Sequence, residues 1–373
     1  MSTIAVNAIT DASGGNTASI NGATPTNDNT MGRNRIINGD MRIDQRNAGA
    51  SITPTNGQFS VDRWKLNVNQ LSKISVQQVT DAPTGFQNSV KITSLSAYTP
   101  IADDYFLIQQ NIEGYNCADF LYGTSDAKTA TLSFYVKSSL TGIFGGAIRN
   151  GNGFTRTYPF EYTINSADTW EYKTITFSGD TTGTWNATNS AGPAITFSVG
   201  AGSNFKSIAN AWASNNDIAG SNAIDVVATN GATFYITGVQ LEAGSVATSF
   251  ERRSYGQELA LCQRYYWQLG TGSLYMPFSN GNNITSTIAQ GIMTPPVPMR
   301  ATPSLSTNGT ASNYSVLDAG TDVACTSVTL DPQSQFNVFD VRFVVASGLT
   351  AGRGVALRSN NNATTYLGFS SEL

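Results

Sequence analysis

The chain has 373 residues, a formal net charge of −4, 40% hydrophobic residues and only 12% charged ones. Its length allows two or three domains with proper cores, while the small negative charge argues against the clustered Lys and Arg that nucleic acid requires. The sequence contains no His, which removes the commonest general base, the commonest metal ligand and the Ser-His-Asp triad together.

Asn, Ser, Thr and Gly stand where charges usually do, and such side chains suit strands and turns better than helix interiors. The chain therefore reads as all-β. Cys117, Cys262 and Cys325 lie far apart with no CxxC spacing, so they read as buried thiols of a protein made in a reducing cytosol. Residues 1–33 are poor in bulky side chains, with Ile4, Val6 and Ile9 the only apolar anchor. They read as an extended segment that orders on a partner assembly. The opening stretch has no basic region or apolar run of the signal-peptide kind, and no segment approaches the length of a membrane span. Synthesis in a cytoplasm, without membrane insertion, is the expectation.

Residues 34–253 carry repeated period-2 runs separated by Gly, Asn and Asp clusters. Among them are Ile74–Val79, Ser89–Thr93, Thr131–Lys137, Trp170–Phe177, Ile195–Val199 and Thr233–Glu242. Many short strands with turn signals between them predict a jelly-roll β-sandwich. Trp64 and Trp170 sit inside strand patterns and are expected in the core. Residues 254–269 predict a junction helix, with Ser254 as N-cap and Gln257 at the capping-box position. Its stripe of Leu259, Leu261, Cys262, Tyr265, Tyr266 and Leu269 asks for a partner surface, such as another copy of the chain. Residues 270–373 return to strands, notably Ser334–Val345, and predict a second, smaller β-domain.

Several segments taken together resemble phage and prophage tail-fibre-type structural proteins. They are Asn34–Arg46 with Phe59–Trp64, the pair Thr131–Lys137 and Trp170–Phe177, Phe234–Glu251, and Gln263–Tyr266. The same segments are similar to jelly-roll carbohydrate-binding modules. Asn38, Gly39, Asp40 and Trp64 fill the opening signature, and Phe234–Glu242 the closing strand. The resemblance implies a virion protein of tail-fibre or head-fibre type. It implies attachment to other virion proteins through residues 1–33, a homo-oligomer (a trimer), and binding of a host surface glycan for adsorption. Modules of this type often hold a structural calcium. Here Thr237-Gly238 replaces the acids of the closing strand and leaves Asp40 as the remaining candidate ligand, so no cofactor is expected.

Glycan recognition needs aromatic faces to stack on pyranose rings and amides or carboxylates to bond the hydroxyls. Aromatics beside Asn, Asp or Ser include Tyr98, Tyr105, Tyr115, Tyr122, Trp185 and Trp212. Trp185 and Trp212, which lie in long polar stretches, are the first candidates for binding. Tyr98 and Tyr105, near Asp103-Asp104, are the second. Hydrolysis would need two carboxylates across a cleft, and no short motif pairs them, so a non-enzyme is expected. A purely architectural virion protein and a polysaccharide depolymerase are the alternatives. Glu251-Arg252-Arg253 is the one compact basic spot and is expected to serve ion pairing.

Overall fold

The structure, a computed structural model, describes residues 32–151, 153–270 and 272–373. The expected attachment segment, all but its last two residues, lies outside them. Two compact units divide the chain, the second running Ser254–Leu373. Among the described residues no helix is long and apolar enough to cross a membrane, and the three cysteines are buried thiols outside any disulfide.

The strands of the first unit in chain order are β1 (Gln58–Phe59), β2 (Lys65–Val68), β3 (Ile74–Val79), β4 (Ser89–Ser94), β5 (Tyr105–Glu113), β6 (Ala130–Ser138) and β7 (Gly142–Asn150). There follow β8 (Thr157–Ile164), β9 (Glu171–Phe177), β10 (Ala191–Ala201), β11 (Lys206–Ser207), β12 (Ala219–Gly220) and β13 (Thr233–Ala243). A six-stranded sheet has the order β1-β2-β5-β10-β7-β8, and a five-stranded sheet the order β3-β4-β13-β6-β9. Pairing is antiparallel throughout both, and most spatial neighbours are distant in sequence. This is the jelly-roll sandwich that the strand pattern predicts.

Alternation decides what each sheet buries. Leu66, Phe106, Ile108, Ile195 and Phe197 point inward from the first sheet, and Val90, Ile92, Leu132, Phe134 and Ile236 from the second. The Phe134 ring bridges the layers, 4.9 Å from Phe197 and 5.0 Å from Tyr162. Burying each such ring contributes about 1.5–3 kcal/mol.

The signature residues of the opening segment serve this sandwich. Asn38 has φ +56, and its side-chain amide donates to the carbonyls of Ile43 at 2.8 Å and Asp62 at 2.9 Å. A Cβ at Gly39 would collide with the Val239 carbonyl. Trp64 is fully buried, as expected, and its indole N–H donates to the Asn38 carbonyl at 2.9 Å. Trp170 is not: it is half-buried, lying outside β9 with its ring edge-on to Tyr235 at 6.1 Å and Lys137 Nζ 5.4 Å from its centroid. A period of two separates the faces of a sheet but does not say which is inner, and Trp170 took the outer one. Thr237-Gly238 forms a bulge, where the β13–β6 ladder shifts register.

The two ends of the described part of the first unit are stitched together. The Glu251 carboxylate accepts from the backbone N–H groups of Gly32 and Asn34, each at 2.8 Å. Arg33 donates to the Ser249 carbonyl at 2.8 Å, and Arg253 donates to the carbonyls of Ile36 at 3.1 Å and Asn34. Asn34 continues the stitch into β13, where its Oδ1 accepts from Leu241 N–H at 3.1 Å.

The second unit opens with helix α1 (Tyr255–Gln263), capped by Ser254 Oγ, which accepts from Gln257 N–H at 3.3 Å. The helix is shorter than 254–269, because Tyr266–Gly270 forms strand β14 instead. There the β-prone Tyr266 and Trp267 pair with the last strand. Of the expected stripe, Cys262, Tyr265 and Tyr266 are buried, while Leu259, Leu261 and Leu269 stay half-buried. The remaining strands are β15 (Pro277–Asn283), β16 (Ile288–Met293), β17 (Ser304–Thr307), β18 (Tyr314–Asp318), β19 (Thr321–Leu330), β20 (Phe339–Val345), β21 (Gly354–Ser359) and β22 (Tyr366–Ser370). A closed barrel runs β15-β16-β20-β19-β18-β21, and a three-stranded sheet β14-β22-β17. Val316, Phe339, Val341, Phe343 and Leu357 fill the core of this unit.

Candidate functional site

The outward face of the six-stranded sheet is polar. Lys65 and Asn67 of β2, Gln109 and Asn111 of β5, Thr196 and Ser198 of β10, and Arg149 of β7 alternate with the inward core residues of the same strands. Most of them are nonetheless buried, because the segment 202–220 folds back over part of this face. Ile218 seals against Leu107 and Ala201, with Tyr105 and Phe205 packed on the edge of that contact. Beside the seal an open groove of about 250 Å³ remains. This lies just under the roughly 300–1,000 Å³ of pockets that enclose a drug-sized ligand, so the groove is a short open trough and not an enclosing pocket.

The groove combines flat rings with donors and acceptors. Tyr105 and Phe205 meet edge-to-face at 5.6 Å on one side. Phe154, from the β7–β8 turn, covers Arg149, with the guanidinium carbon 3.9 Å from the ring centroid. Between them lie Lys65, Asn67, Gln109 and Asn216, with Asn56 at the rim, its amide 3.5 Å from the Tyr105 hydroxyl. A polar network holds the floor in place. Gln109 Oε1 accepts from Arg149 at 3.1 Å and from Thr196 Oγ1 at 3.2 Å, and Asn216 Oδ1 accepts from Arg149. Burial pulls the Arg149 guanidinium down to about 10, against the charge of Asp217, which holds it up; it remains a cation at neutral pH.

Of the four candidate residues, Tyr105 alone lines this groove. Tyr98 is tied into a loop clasp. Its hydroxyl donates to Asp104 Oδ2 at 2.6 Å, and the same carboxylate accepts from Ile101 N–H and Gln70, each at 2.9 Å. Asp103 accepts from Asn204 at 2.7 Å, so Asp103-Asp104 fastens loops.

The structure brings Trp185 and Trp212 together, with ring centroids 5.6 Å apart at 88°. They do not stand as free loop platforms. Tyr122 lies edge-on to both, at 5.0 and 6.2 Å, and Tyr158 and Phe177 pack on Trp212 at 5.3 and 6.2 Å. Their N–H groups are committed: Trp212 donates to the Ser178 carbonyl at 2.7 Å, and Trp185 lies 3.2 Å from Asp180 Oδ2. Asp180 is the hub of this cluster. Arg156 grips it with two nitrogens, at 2.8 and 2.6 Å. Burial pushes its carboxyl upward, but the Arg156 hydrogen bond and charge outweigh that and hold it below the ordinary value. Tyr122 is buried and Tyr115 exposed, and neither touches the groove.

Asp40 does not fit a calcium ion. Its carboxylate is paired with Arg42 at 3.0 Å, and Arg252 and Arg253 also act on its charge. Its Oδ2 is thus committed to a guanidinium, and Thr237-Gly238 brings no companion acid toward an oxygen cage. Burial is the larger influence and raises the Asp40 carboxyl above its usual range.

Neither a family model nor a curated protein matches the chain. Among solved structures it is similar to the enzymatically active domain of tailspike protein 4 of Bacteriophage CBA120. That likeness has 13% identity and a TM-score of 0.33, covering 57% of this chain and 21% of that one. It is similar to a putative sugar binding protein from Bacteroides thetaiotaomicron, at 13% identity and TM-score 0.35, over 57% of this chain and all of that one, 100%. It is also similar to a family 11 carbohydrate-binding module from Clostridium thermocellum, solved with a mixed-linked tetrasaccharide. There the identity is 15% and the TM-score 0.28, over 53% of this chain and 98% of that one. These likenesses are distant, and the fold rests on the strand order given above.

Proposed function

We propose that this protein binds a glycan in the groove under Tyr105 and Phe205, without turning it over, as a structural protein of a virion that adsorbs to a host surface. The observation that carries the binding reading is the composition of the groove. Exposed ring surface stands beside a row of amides, the pairing that a pyranose with one apolar face and a rim of hydroxyls requires. Binding without hydrolysis is supported by the lining. No Asp or Glu is among its described residues, whereas glycoside hydrolysis uses two carboxylates across the bond.

The virion setting and a trimeric state rest on the resemblance of the Asn34–Arg46 and Phe234–Glu251 segments to tail-fibre-type proteins. A single shallow site stacking on one ring contributes only about 1 kcal/mol per aromatic contact. Three linked copies raise the effective affinity by roughly 10²–10⁴ with no new contact, which suits a particle that first binds reversibly and then commits.

The test is a glycan array probed with the wild-type chain and with Tyr105→Ala, followed by an assay for new reducing ends on any polysaccharide that binds. The expected result is binding that Tyr105→Ala weakens, with no reducing ends released. Binding to nothing would favour a purely architectural role, and released ends a depolymerase. Antibody against residues 34–253 is expected to decorate particles in the electron microscope, and light scattering is expected to give three chains per assembly.

A further inference from the structure

The groove has a charge that a neutral sugar would not need. Among its described lining residues are two cations, Lys65 and Arg149, and no anion, in a chain whose net charge is −4. Arg149 is 4% exposed and makes no ion pair with a described carboxylate, and its Nε has no hydrogen-bond partner. Asp217, the acid that acts on it from a distance, is occupied by Ser207 Oγ at 2.7 Å and Thr157 Oγ1 at 3.4 Å. Buried cations are ordinarily paired. Here the partners are neutral amides and an aromatic ring: Gln109, Asn216 and Phe154.

One of those partners is replaceable. Asn216 is exposed, and its Oδ1 takes an N–H of Arg149 at the groove wall. A carboxylate arriving there accepts the same N–H with a full charge behind it, a hydrogen bond roughly twice as strong as a neutral one. Phe154, which covers the guanidinium, is held at φ +54. This left-handed conformation is uncommon for a bulky residue and is found where surroundings or function demand it.

We infer that the groove selects an acidic saccharide, with the carboxylate of a uronic acid unit meeting Arg149 at the position now held by the Asn216 amide oxygen, and Lys65 adding a second positive charge. This deepens the glycan reading and rests on it.

The experiment compares polymers that differ only in the charge. Polygalacturonate, alginate and hyaluronan are titrated calorimetrically into the wild-type chain, each beside its carboxyl-reduced counterpart, at low and high salt. At least one acidic polymer is expected to bind about tenfold or more tightly than its reduced form, and salt is expected to shrink that preference. Lys65→Gln is expected to narrow the preference several-fold. Arg149→Gln is expected to abolish it, with circular dichroism checking the fold. The comparison of the two polymers on the wild-type chain needs no variant, so it stands even if Arg149→Gln fails to fold. Equal binding of acidic and reduced forms overturns the charge selection and leaves the glycan reading intact. The same holds if neutral glycans bind on the array and no acidic polymer does. Binding to no glycan of either kind overturns both.

Discussion

Two groups of aromatic side chains lie in the first unit, and they are built differently. In the group around Trp185 and Trp212, rings pack edge-on to one another and both indole N–H groups are taken by Ser178 and Asp180. In the group around Tyr105 and Phe205, the pair of rings borders an open groove, and its neighbours are amides and cations. All four rings are half-buried and lie near Asn, Asp, Ser or Thr in the sequence, so residue type and local composition do not separate them. What separates them is where their polar atoms are spent. A ring whose N–H and edges are satisfied within the fold holds the fold together, while one bordering unfilled space has surface left for a ligand.

The largest expected effect falls on the first group. Replacing Trp185 and Trp212 with Ala, singly, is expected to destabilise by about 2–4 kcal/mol each, somewhat below the roughly 3–5 for a fully buried Trp. Such losses appear as melting points lowered by roughly 2–4 °C per kcal/mol, with groove binding unchanged at temperatures where the variants remain folded. A normal melting point with lost adsorption would reverse the assignment of the two groups. Next come Tyr105→Ala and Phe205→Ala. Each is expected to weaken glycan binding about tenfold, which corresponds to about 1.4 kcal/mol, with only a small change in melting point. A variant that melts early but binds normally would move its ring into the structural group.

The smallest effect is a pH dependence. Asp180 is held below its ordinary value in the folded state. Its contribution is therefore fully present above the unfolded value and is lost as pH falls through the lowered folded value. Melting points are expected to hold from pH 7 to 5 and to fall below about pH 4. Asp40 and Asp44 are raised, mainly by burial, and act in the opposite sense. The informative quantity is thus the gap between wild type and Asp180→Asn, which is expected to narrow on acidification. A gap independent of pH would show that Asp180 is not the hub of the Trp cluster.

Much of the fold was legible because alternation is a local property. The run Thr131–Lys137 lies within β6, and Phe234–Glu242 within β13. The helix that stops at Gln263 shows the limit of such patterns. Tyr266 and Leu269 fit a helical stripe and a strand equally well, and pairing with a strand a hundred residues away settled the matter. The site was harder to see. Lys65, Asn67 and Gln109 could have been found as the polar face of two alternating strands. Phe154, Phe205 and Asn216 sit in turns and irregular segments with no periodicity, and the folding-back of 202–220 brings the last two to the groove that Phe154 borders from the β7–β8 turn.

The stitch between residues 32–36 and 249–253 has a mechanical consequence. Glu251, Arg33 and Arg253 fasten the irregular segment that leads into the sandwich to the one that leaves it. A pull applied at these two segments is expected to load that short clasp before the strand ladders of the sandwich. Opening of the clasp is therefore expected to precede any change in the spacing of Tyr105 and Phe205.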